Sequence, residues 1–306
     1  MAITAGFYTV GSGGNYSTWA TAWADIGSTL TGDLTLTQIS DTTESGGTNK
    51  NIAYAGYKLT ITSNNPHLGN FNNGWKINVT YAGAAHLWTL NTSSSSSAST
   101  ELEISNLYFR KVGAPANNVV WAFIVLYTQT NISNNIHNII MDGLGHYCSG
   151  IAYANGTSSN QKCYNCIVTN IPSGLNNGYG FSSLAGGIFE NCTVYVSRIG
   201  FWNYGNSVAF VLKNVVALGQ TVASFAYGTG ATLGLGNSTA SKCASSDITG
   251  SEASLRSLTA ANEFESLTLT DATFLKVKST GQLANGGTTA TITGNTTGIR
   301  GNARPH

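Results

Sequence analysis

At 306 residues the chain is long enough for one or two globular domains, yet only 9% of it is charged and its net charge is +1. An ordinary soluble domain carries about 25% charged residues. Here Gly, Ser, Thr and Asn take their place, and without clustered Lys and Arg to neutralise phosphates, nucleic acid is excluded as a partner. Also excluded are a disordered chain, since 42% of the residues are hydrophobic and regularly spaced, and a membrane-spanning helix, since no apolar run reaches the ~18 residues one needs.

Residues 7–14 read as a strand closed by a glycine turn. A short amphipathic helix follows over residues 17–26, with Ser17 as its N-cap and Trp19, Trp23 and Ile26 on one face at i, i+4 and i+7. Strands are predicted at 33–39, 57–63, 75–79 and 87–90, and the serine-rich stretch 92–100 is a loop between them.

From residue 104 onward one pattern recurs: apolar, any residue, asparagine, then apolar-x-apolar. It reads Ile104-Ser-Asn106-Leu-Tyr-Phe109, Ile136-His-Asn138-Ile-Ile-Met141, Cys163-Tyr-Asn165-Cys-Ile-Val168, Phe189-Glu-Asn191-Cys-Thr-Val194 and Leu212-Lys-Asn214-Val-Val-Ala217. The asparagines Asn106, Asn138, Asn165, Asn191 and Asn214 step by 32, 27, 26 and 23 residues, a period that marks stacked repeats. Asparagine tolerates the left-handed conformation, so it suits a tight corner between two strands. Stacked about 4.8 Å apart, such corners let each amide donate to one neighbour and accept from the other. The residues before the asparagine, directly after it, and two further on are apolar in every repeat, as inward-facing columns must be. A second column, Gly150-Ile151, Gly180-Phe181, Gly200-Phe201 and Ser224-Phe225, follows the corners at 138, 165, 191 and 214 by 9–15 residues.

These columns predict an all-β chain, a right-handed parallel β-helix of about ten coils and ~50 Å. It is expected to be one domain: an N-terminal cap over 1–32, whose helix lies across the open end, coils over 33–235, and an irregular C-terminal segment over 236–306. Between the inward residues stand Tyr108, Ile140, Ile167, Thr193 and Val216, which must point outward. An apolar outer stripe of that length calls for a cover, from a partner or from the chain after about residue 240, and a homotrimer is the first expectation for a partner.

The opening Tyr8-Thr-Val-Gly-Ser-Gly-Gly14, the helix, and Gly32-Asp-Leu-Thr-Leu36 resemble the N-terminal cap of right-handed β-helix proteins of tailed-bacteriophage virions. The close, Phe274-Leu-Lys276 with Ile299-Arg-Gly301-Asn-Ala-Arg304-Pro305, resembles the C-terminal Asp-x-x-Gly-x-x-Arg-Pro signature of microbial and phage β-helix proteins, although Thr297 or Gly298 stands where that signature has aspartate. The resemblance implies the fold. It also implies a place among virion parts, in a fold that hosts lyases, hydrolases, tailspikes and purely structural proteins alike.

The chemistry of the side chains chooses among those. A glycoside hydrolase needs paired carboxylates, and a lyase needs acidic calcium ligands with a base. The chain has thirteen carboxylates in all, and those of the regular coils are Glu101, Glu103, Asp142 and Glu190, with no two adjacent coils sharing a column. No catalytic pair is expected; the residues that come nearest to one are Asp142, His146 and Glu190. Trp202, Tyr204 and Tyr227, after the second column, could stack on sugars. Cys163, Cys166 and Cys192 fall at inward positions, and with no second CxxC or histidine pair they read as core thiols, with no metal and no cofactor. The start of the chain has neither the positive nor the apolar region of a signal peptide, so the expected location is a virion made in the host cytoplasm, with a secreted form as alternative. The expected function is that of a non-catalytic structural virion protein, in capsid decoration or in a tail or fibre, with other virion proteins or its own copies as partners. The alternatives are a tailspike-like polysaccharide depolymerase and an adhesin for a cell-surface glycan.

Overall fold

The computed structural model describes residues 2–80, 86–93, 100–113, 122–127, 132–145, 148–155, 161–171, 178–184, 186–205 and 208–285. Within them the chain is a right-handed parallel β-helix built of three long sheets. The first sheet has nine strands, from Gly6–Val10 to Thr239–Ser241; the second and third have eight each, running from Thr48–Ala53 to Thr232–Leu233 and from Thr42–Glu44 to Ala244–Ser245. Every strand pair is parallel except the last of the second sheet, where Ala223–Tyr227 meets Thr232–Leu233 in a hairpin. Each coil visits the first, third and second sheet in turn, so each strand pairs with its counterpart one coil on.

The corner between the first and third sheets is the asparagine position. Asn106, Asn138, Asn165, Asn191 and Asn214 have φ between 51° and 60°, a conformation costly for most side chains and tolerated by asparagine. All fifteen flanking apolar positions lie in one buried cluster that runs the length of the coil. Amide Nδ2 of Asn138 donates to Oδ1 of Asn106 at 3.2 Å, Asn165 to Asn138 at 3.2 Å, and Asn214 to Asn191 at 3.1 Å. Asn106 continues the chain downward by donating to Thr62 Oγ1 at 3.3 Å. The ladder is interrupted at Asn191, whose Nδ2 finds no acceptor among the described residues. Only Asn165 is buried; the other four are half-buried, because a corner is walled by its own stack above and below but meets solvent on its outer side.

The second column has a steric cause. A Cβ on Gly150 would stand 2.2 Å from the carbonyl of Gly180, and one on Gly200 would stand 2.6 Å from Cβ of Ala217. At Gly150 and Gly200 the backbone of the second sheet therefore runs too close to its own next strand and to the third sheet for a side chain. The residue that follows turns fully inward: Phe181, Phe201 and Phe225 stack ring on ring at 5.1 and 5.6 Å.

Both ends of the solenoid are plugged. The helix Trp19–Asp25 lies across the first coils with Trp19 and Trp23 buried, their rings packed edge-on to Trp88 at 5.1 and 5.4 Å. Its N-cap is Thr18 rather than Ser17. Thr18 and Thr21 form a reciprocal capping box, which Ser17 is one residue too early to make. The carboxylate of Glu44 accepts the next two free amides, from Trp19 at 2.9 Å and Ala20 at 3.0 Å. At the far end, parallel pairing continues past residue 235 to Ala244–Ser245, because Lys242 repeats the corner with φ 54°. There Asp247 Oδ2 accepts the amide of Ser224 at 2.8 Å, and Thr249 Oγ1 that of Phe225 at 3.1 Å, so polar side chains finish an edge that would otherwise seek another strand. The closing motif at 299–305 lies outside the described residues.

Candidate functional site

With the core and both ends closed, function falls to the three outer faces. On the third sheet, Tyr108, Ile140 and Ile167 are buried, and Thr193 and Val216 are half-buried. The chain itself covers them. Leu255, Leu258, Phe264, Phe274 and Leu275, from the irregular segment after the last coil, form a second buried cluster on this face, joined by Phe71 from the loop at 64–75. Phe71 meets Phe274 edge-on at 4.7 Å and Tyr108 at 5.7 Å. Two polar ties hold the cover down. Asn72 Nδ2 donates to the carbonyl of Thr270 at 2.7 Å, and the His67 ring bonds Asn138 O through Nε2 at 2.6 Å while its Nδ1 accepts the amide of Gly69 at 2.9 Å. Burial holds His67 down to about 4, so the ring is neutral, a donor at Nε2 and an acceptor at Nδ1. A homotrimer built on this stripe finds no open apolar face there.

The residues nearest to a catalytic set do not converge. Asp142 closes the strand Ile140–Asp142 of the third sheet, whereas Glu190 closes Gly187–Glu190 of the first. His146 lies outside the described residues. Asp142 is buried, and burial raises its pKa although three donors work against that: the amide of Leu144 at 3.0 Å, Asn170 Nδ2 at 3.1 Å and the Tyr108 hydroxyl at 3.5 Å. Those bonds fasten the turn after the strand, and a carboxyl so enclosed reaches no substrate.

Among the described residues, the first sheet carries the densest group of ion-paired side chains, one that the spacing of the sequence did not reveal. Lys58 bridges Glu101 at 3.2 Å and Glu103; His137 meets Glu103 at 3.3 Å, and Tyr164 lies flat on the His137 ring at 4.8 Å. The hydrogen bond from His137 and then that from Lys58 hold Glu103 down to about 2. Lys58 is raised: its bonds to the two carboxylates outweigh its burial. A carboxyl that acidic is a poor proton donor near neutrality, and a lysine so paired is a poor base. The cluster, Tyr164 included, braces four coils instead.

The sugar-stacking candidates divide. Trp202 is buried, its indole N–H donates to Gly228 O at 2.9 Å, and its ring is wedged between Tyr179 at 5.4 Å and Tyr204 at 4.8 Å. It is therefore packing for the second sheet. Tyr227 is half-buried, and Tyr204 alone of the three is exposed. Toward the N-terminal end of the same sheet lies a cleft of about 430 Å³ walled by Thr48, Asn49, His86, Thr89, Asn91 and Tyr127.

Among the described residues, one group has metal-ligand spacing: the sulfurs of Cys163, Cys166 and Cys192 lie within 4.8 Å of one another. Burial pushes the thiols of Cys163 and Cys166 well up, and Cys166 and Cys192 donate to the carbonyls of Tyr164 and Glu190 at 3.3 and 3.5 Å. The raised values of Cys163 and Cys166 favour their neutral form, and the backbone bonds of Cys166 and Cys192 are those of small side chains packed in a core. Comparison of the chain with family models, with curated proteins and with solved structures gave no match.

Proposed function

We propose that the chain is a non-catalytic structural component of a bacteriophage particle, in capsid decoration or in a tail or fibre, where it contacts other virion proteins. One observation carries this reading: the solenoid is closed on itself. Its ends are plugged, its apolar flank is sealed by its own C-terminal segment, and its main cluster of outer ionisable groups, Lys58, Glu101, Glu103 and His137, is locked in ion pairs rather than poised for proton transfer. Such a rod spends its sequence on rigidity and not on chemistry. The resemblance of the terminal segments to those of phage β-helix proteins supports the setting, and with it the virion as the proposed location. The test has two arms. Pure protein incubated with a panel of capsular polysaccharides is expected to release neither reducing ends nor unsaturated products. A serum raised against it is expected to label phage particles in electron micrographs of lysates from cells carrying the gene. Release of product would overturn the structural role in favour of a depolymerase, and serum that labels no particle would overturn the setting.

A further inference from the structure

We infer that the cleft on the outer face of the second sheet binds a neutral oligosaccharide, independently of where in a particle the chain resides. The register of three adjacent strands builds it: Asn49 pairs with Thr89, and Asn51 with Asn91, which in turn pairs with Tyr127. Side chains at alternate positions leave the same face, so Asn49, Thr89, Asn91 and Tyr127 stand together outward. Asn91 Nδ2 donates to Asn49 Oδ1 at 2.8 Å. The bond orients both amides and leaves Asn49 Nδ2 as a donor and Asn91 Oδ1 as an acceptor, neither of which makes another hydrogen bond among the described residues. A donor and an acceptor held side by side match two neighbouring hydroxyls of a sugar, each of which both donates and accepts. Tyr127, 38% exposed beside them, offers a ring against which a pyranose face can lie.

The charge of the wall selects the ligand. Among the described residues no Asp, Glu, Lys or Arg lines the cleft, and burial lowers the pKa of His86, which favours its neutral form. An acidic glycan or a phosphate would shed its hydration without gaining a counter-charge. A wholly apolar ligand would strand the two amides. At about 430 Å³ the volume falls in the ordinary range of small-ligand clefts, about 300–1,000 Å³.

The experiment is affinity electrophoresis of the full chain in native gels containing dextran, mannan or galactan, with alginate and polygalacturonate as acidic counterparts. At least one neutral polymer is expected to retard the wild type, and neither acidic one. Tyr127→Ala and Asn91→Ala are expected to weaken that retardation at least tenfold, Thr89→Trp to abolish it by filling the cleft, and Leu233→Ala, exposed at the other end of the same sheet, to leave it unchanged. Asn91→Asp, of nearly the same shape, serves if the alanine variant melts early. Absence of retardation by all three neutral polymers, equal retardation by the acidic ones, or wild-type retardation of the cleft variants would each overturn the assignment.

Discussion

The first and third sheets share a corner, a period and an alternation, yet their outer faces have opposite fates. On the third, the outward column Tyr108, Ile140, Ile167 is buried beneath the C-terminal segment; on the first, the outward column Glu103, Asn135, Lys162 is polar and half-buried, with Glu103 tied to Lys58 and His137 by charge. The inward columns that flank the corner are apolar in both. What differs is one residue in two along each strand, and that is enough to decide whether a flank meets water or another layer of chain. The solenoid is thus specified by its inward residues, and its surroundings by its outward ones.

The largest expected effect breaks that contrast directly. Ile140→Asp places an unpaired charge under the cover and is expected to cost on the order of 4 kcal/mol in chemical denaturation, with tryptic cleavage appearing in residues 246–285. Ile188→Asp, outward on the first sheet, is expected to cost less than about 1 kcal/mol. Equal losses would show that the two flanks do not differ in the way described.

Acid sharpens it next. His67 is neutral when folded, with its pKa held near 4 against an ordinary value of 6.5, so between those values the unfolded chain binds more protons. Its contribution is present in full above pH 6.5 and is lost as pH falls toward 4. The loss amounts to about 3 kcal/mol, at about 1.4 kcal/mol per pH unit. Glu103 on the first sheet acts in a lower window, from its ordinary 4.5 down to about 2. The cover is therefore expected to loosen before the brace, and His67→Gln to flatten the stability profile between pH 6.5 and 4. An unchanged slope in that variant would remove His67 from the account.

The corner comes third. Asn165→Leu forces a branched side chain into φ 55° and strips Asn138 Oδ1 of its donor, at a cost of about 2–3 kcal/mol in urea unfolding. Asn191→Asp, where the ladder is already interrupted at Nδ2, is expected to cost less. The smallest effect is at the plug, where Thr18→Ala removes the capping box for about 1 kcal/mol and Ser17→Ala removes nothing measurable.

The central coils were legible because their signal is local. An asparagine and three apolar columns recur within six residues, and a strand's alternation turns that into a buried stack without reference to the rest of the chain. The earliest coils carry no such mark: Gln38 and Ser63 occupy the corner column, and 43 residues separate Thr62 from Ser105, which meet one coil apart. The helix was legible from its tryptophans, but its cap was displaced by one residue, since Ser17 and Thr18 are chemically alike and only backbone geometry separates them.

What the amino-acid sequence determined by itself was the coil, its register and the need to cover one flank, all of them consequences of short-range alternation. Tertiary structure decided what met what. Lys58 reaches Glu103 across 45 residues, Asn72 holds Thr270 across 198, and Asn49 and Asn91 line one cleft from two coils. Those meetings depend on how many residues each loop takes between coils, a quantity that no local pattern encodes. The distribution of Asp142 and Glu190 onto different sheets was settled at the same level. A closed coil fixes which way a side chain faces, and the lengths of its loops fix which neighbours that side chain finds.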